Sequence, residues 1–406
     1  MNIGFFTDTY FPQVSGVSTS VKLLRDELVR QGHNVIIFTT TDPAAKAEIG
    51  VVRLPSIPFV NYDDRRIAYS GFDRCLKIAR QNDIEIVHTH TEFSLGMAGK
   101  YVASRMKIPN VHTYHTMYEN YTHYILQGNL IHASHVRYLS KIYCNQTNGI
   151  VTPSKITHDK LREYGISEKI EIIPTGVQMP RYIPQNRIDV RKELKLKDTD
   201  VVLLSLSRVS KEKKIDEVVT AYPKIKARIP NARLVVAGDG PILEDLKALN
   251  EEQQLDILFV GGVDHEEVDR YYQMADLYIN ASDSESQGLT YLEAFANRLP
   301  IIARRNSYLE SIMPNQNFGA LFDDEQDLSE VALDFLTKKA SDEIQPIDQS
   351  QLIELSSEFF GERVSKFYQE VIDDFTSSAD SKKFDKMYTK IKDTLREMMV
   401  GGIIND

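Results

Sequence analysis

The chain has 406 residues, 42% of them hydrophobic and 26% charged, which is enough for two cores of about 100 to 200 residues and excludes collagen-like or mostly disordered polymers. Forty-eight Lys and Arg against 58 Asp and Glu give a formal charge of −10, which argues against a nonspecific nucleic-acid binder. Two cysteines, Cys75 and Cys144, with no CxxC spacing exclude a disulfide scaffold or a cysteine-built zinc site; each is expected as a buried thiol, with a pairing of the two left open. No apolar run approaches the roughly 18 residues of a spanning helix, and MNIGFFTDTYF lacks the basic start and apolar stretch of a signal peptide, so a cytoplasmic protein is expected.

In chain order, Ile3 to Phe6 reads as a strand, followed by a loop with Pro12 and Gly16 and an amphipathic helix from about Val17 to Arg30 closed by Gly32. Val17, Val21, Leu24 and Leu28 form the stripe of that helix that packs on a sheet. VIIFTT is the next strand. Short apolar bursts follow near 51, 84, 109, 149 and 169 without strict alternation, the pattern of parallel strands covered on both faces. A second series begins with VVLLSLSR near 201 and continues with ARLVVAGDG, ILFVGG, DLYINAS and PIIARR. The polar, proline-containing stretch between the series places a boundary at about 175 to 195. The expected fold is α/β, two Rossmann-like parallel-sheet lobes with a cleft between them: one lobe over 1–180, a second over 181–370, and a helical segment over 371–406. In that last segment Phe384, Met387, Tyr388, Ile391 and Leu395 form a sparse stripe, expected to pack back on a lobe.

The segment NASDSESQGLTYLEAFANRLPIIARR, residues 280–305, carries the strongest chemical signal. Glu285 sits in a loop, and Glu293 lies on a helix that begins near Gly288. The first turn of that helix offers free N–H groups around Gly288, Leu289 and Thr290 that can hold phosphate charge without a metal. SLSRVSKEKK supplies Arg208 and Lys213 just past a strand, where two cations neutralise a diphosphate leaving group as its bond breaks. VVAGDGP leads a strand into a turn with Gly238 and Gly240, although it is not a GxGxxG fingerprint. Gly16 lies at a strand-to-helix turn where a missing side chain permits close phosphate approach.

HTH at 88–90 and HTYH at 112–115 end two consecutive strands, so a histidine cluster is expected there. No motif supplies a secure third metal ligand, and no metal is expected. His115 is a candidate to hydrogen-bond a sugar hydroxyl or the peptide carbonyl that orients it, with a satisfied structural histidine as the alternative. Asp8 after the first strand serves either the same site or a helix cap.

These pieces resemble the retaining glycosyltransferase family 4, with the two-lobed GT-B architecture, over nearly the whole chain. The resemblance rests on ESQGLTYLEA, SRVSKEK, GDGP and DTYFPQVSGVSTSV; together with HTHTEFSLG and YHTMYENYTHY, the opening looks particularly like bacterial diacylglycerol α-glucosyltransferases. It implies a UDP-glucose donor substrate, no tightly bound cofactor and no metal, and a diacylglycerol acceptor at the inner face of the cell membrane. A protein, polysaccharide or soluble glycan acceptor is the alternative, with an inactive nucleotide-sugar-binding partner behind it. In that picture Glu293 holds the ribose, Arg208 and Lys213 the diphosphate, and Glu285 the transferred hexose. His115 lies by the donor sugar and Gly16 by the phosphates. Ser286 and Gln287 depart from the aromatic or glycine-rich residues of many relatives, which loosens any inference about the sugar. Arg65, Arg66, Arg74, Lys77 and Arg80, with the Tyr- and His-rich region 114–143, are expected to meet an anionic membrane surface.

Overall fold

The computed structural model describes residues 1–13, 15–59, 62–116, 133–283, 287–324 and 326–377. The described residues form two compact units, one within residues 1–174 and 360–377, the other within residues 175–359. The chain crosses between the units at 174/175 and 359/360, whereas the sequence reading placed its boundaries at 180 and 370.

In the first unit, β1 (Asn2–Phe6), α1 (Gly16–Arg30), β2 (Asn34–Thr40) and β3 (Val51–Leu54) come first. Ser15 caps α1 by accepting from the Ser18 N–H, and Gly32, at φ +87°, takes the chain out of it. The expected stripe is the one that packs: Val21, Leu24 and Leu28 are buried against Ile3, Phe5, Val35 and Ile37. An antiparallel hairpin follows, β4 (Ser56–Phe59) and β5 (Tyr62–Ala68), which the sequence reading did not anticipate. Its run YDDRRIA is too polar to read as a strand, and Pro58 sits where only an edge strand tolerates it. Then come α2 (Phe72–Gln81), β6 (Ile86–Thr89), α3 (Ser94–Met106), β7 (Asn110–Thr113), α4 (Ala133–Cys144), β8 (Gly149–Thr152), α5 (Lys155–Glu163) and β9 (Ile170–Ile172). The sheet is parallel throughout, in the order β3-β2-β1-β6-β7-β8-β9.

The second unit contains α6 (Pro184–Glu193), β10 (Val201–Leu206), α7 (Ile215–Arg228), β11 (Ala232–Ala237), α8 (Leu243–Gln253), β12 (Leu258–Gly261), α9 (Val268–Met274), β13 (Leu277–Asn280), α10 (Leu289–Ala296), β14 (Ile301–Arg304), α11 (Ser307–Ile312), β15 (Gly319–Phe322) and α12 (Leu328–Ala340). Its sheet is also parallel, in the order β12-β11-β10-β13-β14-β15. Two apolar clusters cover its faces, one built around Leu203, Leu234, Val236 and Ile279, the other around Val202, Leu204, Tyr278 and Phe295. The polar stretch before β10 folds as part of this unit, because Arg191, only 2% exposed, bonds the carbonyls of Met274, Lys197 and Asp200 and the Asp276 carboxylate. Satisfying each N–H is what lets a guanidinium stay inside.

The last described helix, α13 (Ser357–Ser377), packs on the first unit from Phe360 onward. Phe360, Val364, Phe367, Tyr368 and Val371 are buried there with Ile3, Val111 and Val151. Gly149 is small for this reason, since a Cβ on it lies 2.8 Å from Phe367 and Val371. Residues 378–406, with the expected Phe384 to Leu395 stripe, lie outside the described residues. Cys75 and Cys144 are both free and buried. Among the described residues no helix is long and apolar enough to cross a membrane. Phe367→Ala should remove buried aromatic area from the first unit and cost it about 3 to 5 kcal/mol. Urea unfolding should show an earlier transition for that unit and an unchanged one for the other.

Candidate active site

The second unit starts its sheet in the middle. β11 and β12 extend to one side of β10, and β13 to β15 to the other, so the connections after β10 and β13 diverge at their carboxyl ends. Such a reversal leaves a crevice where ligands bind in open α/β sheets. Both strongest sequence signals, the Arg208 segment and the 280–305 segment, fall on these two connections.

After β10 the chain turns through Ser207 to Ser210, makes a 3₁₀ turn at Lys211–Lys213, and passes Lys214 at φ 49° into α7. Arg208 is exposed, and its guanidinium has no hydrogen bond or ion pair among the described residues. The GDGP loop packs directly behind it. A Cβ on Gly238 falls 1.9 Å from the Ser207 carbonyl and one on Gly240 falls 2.2 Å from that of Val209, so both glycines allow two backbones to touch. The Val209 N–H donates to the Asp239 carbonyl at 2.9 Å, closing the contact. Gly238 therefore has a packing reason to be glycine: it backs the loop that carries Arg208.

After β13 the chain is clamped to the same loop. The Ser282 hydroxyl donates to the Glu212 carbonyl at 3.2 Å, and Lys214 pairs with Asp283 at 2.5 Å. Arg304, at the end of β14, donates to the Ala281 carbonyl at 3.1 Å and grips Glu217 on α7. It also pairs with Asp324. Residues 284–286, and with them the expected Glu285, lie outside the described residues; Asp283 and Gln287 flank them. Gln287 is buried and its amide brackets Thr175, accepting from its N–H at 3.0 Å and donating to its carbonyl at 2.6 Å. That backbone role gives Gln287 an explanation independent of any sugar.

Gly288 then turns the chain at φ 74°, a left-handed conformation suited to glycine, and α10 begins at Leu289. By helix geometry the N–H groups of this first turn, including those of Leu289 and Thr290, have no carbonyl within the helix. Glu293 stands one turn in. The Tyr272 hydroxyl donates to its carboxylate at 2.9 Å, and the rings of Tyr272, Tyr278 and Tyr291 follow one another at 5.7 and 6.1 Å. The Tyr278 hydroxyl donates to the Leu206 carbonyl at 3.0 Å, joining this ladder to the end of β10. Burial pushes the Glu293 carboxyl up to about 7, with Asp269 adding to the rise and the Tyr272 bond opposing it. The sequence reading missed Tyr272, Tyr278 and Arg304. Core-like aromatic runs conceal the first two, and nothing local marks Arg304, whose partners are 20 to 87 positions away.

The first unit repeats the reversal at β1 and β6. Asp8 resolves as a cap: its carboxylate accepts from the Thr91 hydroxyl at 2.6 Å, from the Leu95 N–H at 3.1 Å and from Ser94, at the start of α3. Burial nevertheless raises its proton affinity. Gly16 is the first residue of α1, and a Cβ on it meets nothing within 4 Å, so packing does not demand glycine there. His88, His90 and His112 are buried, and His115 touches His90. Among the described residues no group of three or more His, Cys, Asp or Glu is placed to hold a metal ion.

Glu293 yields a stability prediction with a definite sign. Its carboxyl takes up a proton more readily folded than unfolded, so between about 4.5 and 7 the native state binds more protons and loses stability as pH rises. Glu293→Gln should accordingly stabilise the chain by about 1 to 3 kcal/mol at pH 8 and by little at pH 4, read as the urea midpoint at both pH values.

Residues 14–181 match the family described as Glycosyltransferase Family 4, and residues 186–348 match Glycosyl transferases group 1. The chain is 43% identical over 404 residues to an alpha-monoglucosyldiacylglycerol synthase of Streptococcus pneumoniae, covering 97% of this chain and 91% of that one. It is 32% identical over 344 residues to the enzyme of the same name from Acholeplasma laidlawii, covering 81% and 86%. Among solved structures, Anabaena HepE in complex with UDP and glucose superposes with a TM-score of 0.74 at 15% identity, over 91% of this chain and all of that one, a likeness of fold. The paired parallel sheets, the two matched families and the full-length relatives together make the chain a member of glycosyltransferase family 4 with the GT-B architecture.

Proposed function

We propose that this glycosyltransferase moves glucose from UDP-glucose to the free hydroxyl of 1,2-diacylglycerol with retention of the anomeric configuration, at the cytoplasmic face of the membrane. The observation that carries the donor half is the convergence of the Arg208–Lys213 loop and the Gly288-opened helix on one sheet reversal. Full-length likeness to an alpha-monoglucosyldiacylglycerol synthase supports the acceptor half.

In this reading Arg208 and Lys213 hold the diphosphate, and the N–H groups of Leu289 and Thr290 receive phosphate oxygen. Gly238 keeps the Arg208 loop in place from behind, and Gly16 leaves room for phosphate in the first unit. Glu293 accepts from ribose hydroxyls, and Glu285 and His115 contact the hexose. The C1–O bond to phosphate breaks with its electron pair passing to UDP, while the acceptor oxygen forms the new bond on the same face of the sugar. The acceptor proton goes to the departing phosphate oxygen. Two cations aimed at that oxygen stabilise charge that is larger in the transition state than in bound donor, so they act on kcat.

The acceptor requires contact with a bilayer. On α2, Arg74, Lys77 and Arg80 are exposed while Cys75, Leu76 and Ala79 turn inward. Lys77 and Arg80 are assigned to anionic lipid, at about 1 kcal/mol each near a charged surface, and Arg74 contributes less because its guanidinium donates to the Arg53 carbonyl at 3.2 Å. Arg66 contributes less than the sequence reading expected, because its guanidinium is bonded to Ser56. The Arg65 side chain and most of the Tyr- and His-rich region, residues 117–132, lie outside the described residues.

The test follows radiolabelled glucose from UDP-glucose into chloroform-extractable product, with diacylglycerol in anionic vesicles. Monoglucosyl lipid should form, with kcat lowered about 10²- to 10³-fold in Arg208→Ala and Lys213→Ala and label lost in Glu285→Ala. UDP release with label only in soluble or protein acceptors would overturn the diacylglycerol assignment. Donor binding without any transfer would overturn the enzyme reading. Because ribose needs the Glu293 carboxylate ionised, KM for UDP-glucose should fall as pH rises from 6 to 8, and Glu293→Gln should flatten that profile.

A further inference from the structure

The interior of the first unit holds three imidazoles in a column at the carboxyl ends of β6 and β7. The His88 ring lies 4.0 Å from that of His90, and His90 lies 5.4 Å from His115 with their planes 28° apart. His88 commits both nitrogens to hydroxyls, Nδ1 to Tyr368 and Nε2 to Thr113. His90 is 2% exposed, with its backbone N–H bonded to the Phe6 carbonyl at 2.8 Å and its ring against Phe5 at 4.8 Å. Its Nδ1 is 3.1 Å from His115 Nε2. Its own Nε2 is buried and has no hydrogen-bond partner among the described residues.

That orphan nitrogen decides where the protons sit. One proton bridges His90 Nδ1 and His115 Nε2, and neutral imidazole carries one proton in all. If His115 were the donor, His90 would have to keep its proton on Nε2, as a buried N–H with nothing to accept it. If His90 is the donor, only a weak lone pair goes unused, the cheaper of the two because orphaned buried N–H groups are the rarer and costlier case. The His115 proton then sits on Nδ1.

We infer that His90 is a positioning residue that fixes His115 as its Nδ1–H tautomer and so makes it a hydrogen-bond donor, not a base. This rests on the reading above for what His115 donates to, a hydroxyl oxygen of the transferred sugar, but not for the tautomer itself. Burial, together with the neighbouring histidines, disfavours the charged form of His88, His90 and His115, and lowers His115 to about 3. None of the three rings is therefore available to store the acceptor proton, in keeping with its transfer to phosphate oxygen. The side chain of His90 acts on His115 alone in this account and touches no substrate.

The test is long-range ¹H–¹⁵N correlation spectroscopy on histidine-labelled full-length chain, with His115→Gln assigning the signal. Wild type should show His115 protonated at Nδ1 from pH 6 to 8. His90→Leu should move its nitrogen shifts toward a mixture of tautomers and lower kcat about tenfold with KM for UDP-glucose changed less than about twofold, the size of one lost polar contact. His90→Asn, whose amide keeps an N–H near the place of Nδ1, should restore both. A wild-type His115 protonated at Nε2 overturns the inference whatever the variants do, and settles it even if His90→Leu does not fold. An unchanged His115 tautomer in folded His90→Leu overturns it as well. An Nδ1–H tautomer combined with full transfer activity in His115→Ala would leave the inference standing and remove His115 from the proposed donor contacts.

Discussion

A parallel sheet whose first strand ends up in its middle must send its connections apart at one place, and everything chemical in this chain is arranged around that constraint. In each unit the strand order runs outward from the first strand in both directions, β10 in one and β1 in the other. Right-handed crossovers then put the helices before and after the reversal on opposite faces, in the second unit α7 and α8 on one and α9, α10 and α11 on the other, and the carboxyl ends of the two central strands are left uncovered. Side chains placed there can face a ligand without a cavity having to be cut into the core. The price is a set of loops with no regular hydrogen bonding of their own. In the second unit that deficit is met by contacts between loops: Gly238 and Gly240 against the Arg208 loop, Ser282 on Glu212, Lys214 on Asp283, and Arg304 across Ala281 and Glu217.

The same ends of the first unit are polar inside as well as at the rim. Asp8 is buried beneath the start of α3, and His88, His90 and His112 lie within the sheet's own packing, with Tyr368 of the returning α13 supplying a hydroxyl to His88. Buried polar groups of this kind are tolerated because nearly every one has a partner. Tyr368 and Phe367 tie the last described helix to this interior, so the unit is completed by residues more than 350 positions from its first strand. The imidazole column is thus held from both ends of the chain.

Much of the fold was legible because parallel strands are buried on both faces and read as apolar bursts. The Val21, Leu24 and Leu28 stripe, the strand series and the helix start at Gly288 all follow from local spacing and turn chemistry. The β4–β5 hairpin did not, since its second strand carries Asp63, Asp64, Arg65 and Arg66 in place of an apolar run. For the candidate site, the sequence singled out the loops and cations but not what orders them. Arg304, Tyr272 and His90 have partners fixed by strand order, and strand order is not a local property of the chain. Gln287 shows the converse: a residue conspicuous in a sequence motif turns out to bracket the backbone of Thr175.

If a nucleotide sugar binds at the carboxyl ends of β10 and β13, as proposed, amide hydrogen exchange of the full chain with and without UDP-glucose will report it at those loops. Protection should appear at residues 207–214 and 287–293 of the second unit, with strands of both sheets unchanged. Protection confined to other segments of that unit, or none at saturating UDP-glucose, would contradict the account.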